Sequence, residues 1–371
     1  ASNLLSQGKL DDAFDKYQRC STTENLLQDL YLLGIEYERR RQFSKALIVY
    51  EHITKFDPEY RDIKDRRERH FSNSDKFSLV STLSGNFGET LVVDDPNIAQ
   101  PVLGRYEIIE SIGKGAMGTV FLGKDPKIGR TVAIKTLPLS KEFDTQQLDS
   151  VRSRFYREAE TAGRLSHPNI VTIYDVGEEH DLAYIAMDYI DGSSLEHYTR
   201  PGYLLSTAEV FIIGITVADA LDYAHKQNVV HRDIKPANVM YNADKRVIKV
   251  TDFGIACLTD KSKTMTGTVL GSPSYMSPEQ LEGKKLGGRS DIFSLGVTLF
   301  QLFTGTLPFN AETMASLAYK IANEKPKSVR KVRGDLPSCL TRIINKSLEK
   351  DPKNRYQNGA DFAAALRKCA S

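Results

Sequence analysis

The chain has 371 residues, with 50 basic side chains against 48 acidic ones and a net charge of +2; 26% of residues are charged and 40% apolar, an ordinary globular balance with room for two or three domains. So small a net charge gives no argument for nucleic acid, and no apolar run approaches the roughly 20 residues of a membrane span. Four scattered cysteines without a C-x-x-C (Cys20, Cys257, Cys339, Cys369) predict reduced thiols in a cytosolic setting, with neither a disulfide frame nor a zinc site.

The chain opens on Ala1 with no signal sequence, which predicts an excised fragment of something longer. Residues 1–67 are helical by pattern, rich in Leu, Tyr and charge. Leu33-Gly34, Tyr37, Ala46, Tyr50 and Pro58 stand at the offsets of a tetratricopeptide repeat, and Ala13-x-x-x-Tyr17 lies 33 residues before Ala46-x-x-x-Tyr50. Small residues at these places let two antiparallel helices approach, and the aromatics fill the groove between them. The earlier copy starts after its own Leu-Gly-x-x-Tyr position, which again predicts a truncated start. Stability usually needs three or more such units, so these helices should pack on the rest of the chain, on a partner or on missing repeats. An unrelated helical hairpin is the plainer alternative. Residues 68–104 carry Ser, Asp and Asn with few apolar repeats, which is linker chemistry.

From Arg105 the pattern turns dense. Tyr106–Ile109, Thr119–Leu122 and Thr131–Ile134 read as strands, a helix runs from about Ser150 to Leu165, and His167-Pro168-Asn169 stops it. After Gly192 the pattern is mostly helical, and Val210–Leu221, which contains Asp219, reads as a buried helix. Gly113-x-Gly115-x-x-Gly118-x-Val120 sits between two predicted strands, where glycines let backbone N–H groups approach phosphates. A dinucleotide-binding fold would place such glycines between a strand and a helix, and a tight hairpin without a ligand is the plain alternative. Lys135 ends the apolar strand Val132-Ala133-Ile134. A charge so placed needs anions, and the phosphates of ATP would supply them. Glu158 is the best acid to hold that lysine. Its competitor Glu160 lies about 200° around the helix, while Phe155, Ala159 and Ala162 share the face of Glu158.

His231-Arg232-Asp233-Ile234-Lys235-Pro236-Ala237-Asn238 is followed, nineteen residues after Asp233, by Asp252-Phe253-Gly254. This places two acids, an amide and a lysine at the spacing that phosphoryl transfer from ATP needs. One acid can take the proton of an attacking hydroxyl, and the other acid and the amide can hold Mg²⁺.

Residues 105 to about 368, some 70% of the chain, therefore resemble a eukaryotic-like (Hanks-type) Ser/Thr protein kinase, with motif wording similar to the bacterial branch. The resemblance implies an α+β, bilobal fold: a small β lobe over 105–187, a hinge over 188–192 and a large α lobe over 193–370, preceded by the all-α repeat segment. It implies Asp233 as catalytic base, Lys235 on the γ-phosphate, Lys135 and Glu158 as the ion pair over the α- and β-phosphates, and Asn238 and Asp252 as Mg²⁺ ligands. Ile112, Gly113, Gly115, Gly118, Val120, Ala133, Lys135 and Met240 would enclose the nucleotide. Met187 would be the gatekeeper, with the hinge residues Asp188 to Ile190 on adenine, and His231 would pack on Phe253. Lys235-Pro236 is similar to the Ser/Thr class. Ser277-Pro278-Glu279 replaces the usual Ala-Pro-Glu; Glu279 would pair with Arg355, and Asp291 would brace the catalytic loop.

Arg232, beside the base, wants an anion, and a phosphate on the segment from Asp252 to Glu279 could supply it. Thr259, Ser262, Thr264, Thr266, Thr268, Ser272 and Ser274 offer hydroxyls, with Thr264 and Thr266 the expected autophosphorylation sites and Ser272 at the position that contacts substrate. The partners implied are ATP and a protein substrate, with a further protein or peptide on the helical module and a dimer left open. The expected location is the cytoplasm, alone or as the cytoplasmic part of a membrane-anchored sensor. A pseudokinase scaffold is the alternative, and the intact Lys135, Glu158, Asp233, Asn238 and Asp252 argue against it. A small-molecule phosphotransferase is a third reading, and the Gly271-Ser272 and Ser-Pro-Glu segment argues instead for protein substrates.

Overall fold

The computed structural model describes residues 10–17, 24–39, 43–64, 66–67, 102–115, 118–138, 148–179, 182–200, 202–253 and 273–371. The expected linker lies outside them up to residue 101, as do Thr259, Ser262, Thr264, Thr266, Thr268 and Ser272. The chain divides into two compact units, residues 1–138 with 177–184, and residues 139–176 with 185–371.

The first unit begins with helices α1 (Leu10–Tyr17), α2 (Glu24–Arg39) and α3 (Phe43–Thr54). Their buried residues, among them Ala13, Tyr17, Leu30, Leu33, Tyr37, Ala46, Tyr50 and Ile53, form a core of their own. Of the residues singled out by spacing, Ala13, Tyr17, Leu33, Tyr37, Ala46 and Tyr50 pack in this core, whereas Pro58 is exposed. Gly34 is needed because a Cβ there would lie 2.3 Å from the Tyr50 ring.

A twisted sheet follows, with β1 (Val102–Leu103), β2 (Tyr106–Gly115), β3 (Gly118–Asp125) and β4 (Arg130–Pro138) as antiparallel neighbours. With β5 (Ile173–Glu179) and β6 (Leu182–Asp188) the order is β1-β2-β3-β4-β6-β5. Alternation along β3 and β4 buries Phe121, Val132 and Ile134 on one face. The other face carries Val120, Leu122, Ala133 and Lys135, paired across the strands as Val120 with Lys135 and Leu122 with Ala133.

The second unit contains α4 (Leu148–Gly163), a small sheet of β7 (Ser193–Ser194), β8 (Val239–Asn242) and β9 (Val247–Val250), and a helical body. That body comprises α5 (Thr207–Lys226), α6 (Pro278–Leu281), α7 (Gly288–Thr304), α8 (Met314–Asn323), α9 (Val329–Val332), α10 (Ser338–Ser347) and α11 (Gly359–Ala370). A capping box starts α5: the Ser206 hydroxyl accepts from the Glu209 N–H and the Glu209 carboxylate accepts from the Ser206 N–H. Every residue of α7 from Ser290 to Leu299 is buried, so this helix is the axis of the unit. Its apolar side chains meet those of α5, α10 and α11 in one core. Among the described residues no helix is long and apolar enough to cross a membrane.

The expectation of four reduced cysteines is corrected for one pair. Cys339 on α10 and Cys369 on α11 form a disulfide with their Cα atoms 5.8 Å apart. The 30-residue separation hid it, because α10 and α11 lie side by side only once the chain has turned back. Cys20 and Cys257 lie outside the described residues. Closing a loop of this length restricts the unfolded chain and should contribute about 2–4 kcal/mol. Guanidinium unfolding with and without reductant checks this: the oxidised chain should lose that much on reduction, and Cys369→Ser should show no dependence on reductant.

Candidate active site

The loop before β8 carries a dense polar constellation. Lys235 Nζ donates to Asp233 Oδ2 at 2.7 Å. Asn238 Nδ2 donates to the Asp233 carbonyl at 2.7 Å and to its Oδ2 at 3.0 Å. The Asp233 N–H donates to His231 Nδ1 at 3.2 Å, and His231 Nε2 meets the Thr251 carbonyl at 2.7 Å. Two strands fix these distances. β8 and β9 pair antiparallel from Val239 with Val250 outward, so Asn238 and Thr251 stand at the same end. The Asn238 carbonyl accepts the Thr251 N–H at 2.9 Å, and Asp252 comes next in the chain.

The loop is held by one carboxylate. Asp291, in the first turn of α7, accepts from the His231 N–H and the Arg232 N–H, each at 2.8 Å, and faces His225 Nε2 at 2.8 Å. Burial pushes its carboxyl up, but the hydrogen bonds and the histidines hold it below the usual carboxylate range. Arg232 has φ 71° and Asp252 φ 63°, left-handed values that non-glycine residues adopt only when their surroundings hold them. The ring of His231 packs on Phe253 with centroids 4.6 Å apart.

Of the expected acids on α4, Glu158 is turned inward and Glu160 outward. The side chain of Glu160 is 65% exposed and pairs with Arg164 at 2.6 Å. That of Glu158 is 17% exposed, and its Oε1 lies 4.0 Å from Arg232 Nη1. Phe155, Ala159 and Ala162 are buried on the same face.

Met187 is buried near the end of β6, and with Ile185, Ala162, Ile173, Val250 and Asp252 it lines a small pocket. Asp188 follows, its carboxylate held by Lys249 Nζ at 2.7 Å, by the Thr172 N–H at 3.2 Å and by the Tyr174 hydroxyl. Burial raises its carboxyl, yet these donors win and keep it below its ordinary value. Glu158, Met187, Asp188, Ile190, Asp233, Lys235, Asn238, Met240 and Asp252 all belong to the second unit, where Asp233, Lys235 and Asn238 share one cluster and Met187 and Asp252 share one pocket.

The first unit gathers Ile112, Gly113, Gly115, Gly118, Val120, Ala133 and Lys135. Gly115 pairs with Gly118, and Gly113 with Val120, in the β2–β3 hairpin. Gly118 has φ 131°, and a Cβ there would meet the Thr136 carbonyl at 1.8 Å, so no other residue fits without backbone movement. Ile112 is 43% exposed.

Arg355 and Glu279 pair as expected. Nη1 reaches Oε1 at 2.6 Å and Nη2 reaches Oε2 at 2.8 Å. Arg355 also donates to the carbonyls of Glu349, Arg289 and Lys350, so all five of its N–H groups are used. The Ser290 hydroxyl donates to Glu279 Oε1 at 2.7 Å. Reading by motif missed Gln280, whose Nε2 donates to the Arg232 carbonyl at 2.7 Å, and His225, Tyr174 and Lys249. Lys249 had a signal, since it interrupts the apolar run Val247-Ile248-Lys249-Val250.

The family description "Protein kinase domain" matches residues 106–366. The chain is 41% identical over 271 residues to the serine/threonine-protein kinase PrkC of Bacillus subtilis, covering 73% of this chain and 41% of that relative. It is 39% identical over 276 residues to the serine/threonine-protein kinase PknJ of Mycobacterium tuberculosis, covering 72% and 46%. Among solved structures, the Mycobacterium tuberculosis PknI kinase domain matches with a TM-score of 0.59 at 32% identity, over 73% of this chain and 98% of that one. Rad53 in complex with AMP-PNP matches with a TM-score of 0.59 at 25% identity, over 70% and 64%. The chain belongs to the protein kinase family, and its relatives are of the serine/threonine kind. It spans about four-tenths of the length of the curated relatives it matches.

Removing one side of a buried ion pair leaves an uncompensated charge, at about 3–5 kcal/mol. Arg355→Ala should lower the unfolding free energy by that amount in urea. Burial acts to raise the Glu279 carboxyl, but Arg355 holds it below its ordinary 4.5. The unfolded chain then binds the proton more tightly, so the pair's contribution is complete above about pH 4.5 and is lost as pH falls toward the folded value. The stability difference between wild type and Arg355→Ala should therefore shrink on acidification, which urea unfolding at stepped pH measures.

Proposed function

We propose that the chain is an active Ser/Thr protein kinase that transfers the γ-phosphate of ATP to protein hydroxyls. The carrying observation is the Asp233–Lys235–Asn238 cluster locked to the strand that delivers Asp252. Asp233 accepts the proton of the substrate hydroxyl while that oxygen forms its bond to the γ-phosphorus and the bond to the bridging oxygen of ADP breaks. Lys235, already on Asp233, supplies a cation to the transferring group. Within the first unit, Lys135 shares a strand face with Val120, Leu122 and Ala133, and it is read as the lysine that meets nucleotide phosphates.

Asn238 and Asp252 fit a hard divalent cation. With its amide nitrogen on Asp233, Asn238 has the amide oxygen left to face a metal, and one carboxylate with one amide suits Mg²⁺, which keeps water and phosphate ligands. When bound, the ion neutralises phosphate charge. Protein hydroxyls rather than small molecules are favoured by the Ser277-Pro278-Glu279 segment, anchored through Arg355 and Gln280 next to the catalytic loop.

Regulation is read from Arg232. Its guanidinium stands near Glu158, and a phosphate on Thr264 or Thr266 would compete for it. The N-terminal helices are read as tetratricopeptide-type and as a docking surface for a protein or peptide, with residues 68–104 as the linker.

Labelled ATP with Mg²⁺ and a generic basic protein tests the activity. Asp233→Asn should reduce phosphate incorporation at least about a hundredfold, and undiminished incorporation would refute the mechanism. In the same assay Thr264→Ala combined with Thr266→Ala should lower turnover several-fold, whereas equal turnover would remove the proposed regulation.

A further inference from the structure

Asp188 stands where β6 becomes the hinge. Its carboxylate is turned to other strands: Thr172 and Tyr174 beside and on β5, and Lys249 on β9. The Asp188 N–H returns a hydrogen bond to the Thr172 carbonyl at 3.0 Å, so side chain and backbone are fastened to the same residue. Lys249 Nζ also donates to the Ile170 carbonyl at 3.4 Å. Around it, the Val171 N–H reaches the Val250 carbonyl at 3.0 Å and the Val250 N–H reaches the Asn169 carbonyl at 2.8 Å. The side chains of Asp188 and Lys249 are 19% and 21% exposed, so water screens this pair poorly.

An ion pair removed from water adds little net stability over apolar residues of the same size; what it imposes is direction. The direction here links two places. The hinge backbone begins at Asp188, and Asp252 lies three residues beyond Lys249 on the same chain segment. One is read as holding adenine and the other as facing the metal on the phosphates. We infer that Lys249, seconded by Tyr174, is a positioning residue for nucleotide: through Asp188 it fixes the hinge backbone relative to Asp252, so that base and phosphates are met together. The inference rests on the proposed kinase reading.

The test is steady-state phosphorylation by the full chain at varied ATP, beside direct titration with ADP. Lys249→Met keeps the apolar stem and removes the charge. It should raise KM for ATP and the ADP dissociation constant roughly fivefold to tenfold, with kcat within about twofold. Lys249→Arg should restore most of the affinity, and Tyr174→Phe should shift it less than Lys249→Met. A merely structural role would lower kcat and the unfolding midpoint with KM unmoved, and that outcome overturns the inference. So does a fall in KM, which would make the clamp a restraint on binding. Should the wild type transfer no phosphate, the kinase reading fails, and the ADP titration still decides: equal affinity in Lys249→Met and wild type overturns the inference.

Discussion

Asp291 receives two consecutive backbone N–H groups, and much of the site's geometry descends from that contact. Two amides aimed at one carboxylate require a sharp bend at His231-Arg232, and the bend places Arg232 in the left-handed region. The strain is sustained because the acceptor is charged, fully buried and rigid in the first turn of a helix that is itself buried. Asp233 leaves that bend with its carboxylate between Lys235 and Asn238. A neutral acceptor would weaken both hydrogen bonds and leave the bend to relax toward ordinary backbone.

The same device recurs at the borders of the site. Glu279 is covered by Arg355 and Ser290, and Asp188 by Lys249, Tyr174 and a backbone amide. In each case burial alone would push the carboxyl toward the neutral form, and several donors reverse the tendency. Such clusters cost desolvation and return little as stability. Their common property is location. Each ties a loop of the candidate site (residues 231–238, the segment ending in Ser277-Pro278-Glu279, the residues after β6) to a buried helix or a paired strand.

Much of this was legible in the chain. The motif residues 231–238 pointed to one loop, and the structure draws Asp233, Lys235 and Asn238 of that loop into one hydrogen-bonded cluster. Tyr37, Ala46 and Tyr50 identified the helix packing because small and aromatic residues alternate there for steric reasons. What could not be read was contact between residues distant in sequence. The Cys339–Cys369 bond depends on where α11 falls against α10. His225 depends on where α5 runs past the start of α7, and nothing local to either segment reports it.

Lys135 and Lys249 show where such reading divides. Both interrupt an apolar β-strand, and both must find negative charge because a lysine so placed is too poorly hydrated to stand alone. For Lys135 the glycine hairpin before it suggested phosphates as the anion. For Lys249 the anion is Asp188, 61 residues earlier, and no motif joins the two. A lysine in an apolar run therefore announces a counter-charge without announcing its identity. Its neighbours in sequence name a ligand only when they also provide the surface on which that ligand would lie. Val120, Leu122 and Ala133 share the strand face of Lys135, the surface on which nucleotide is proposed to lie. Val250 beside Lys249 is fully buried, and Lys249 itself is held by the Ile170 carbonyl and Asp188. Lys249 is accordingly turned to the protein's own backbone, and any effect it has on nucleotide must pass through the hinge.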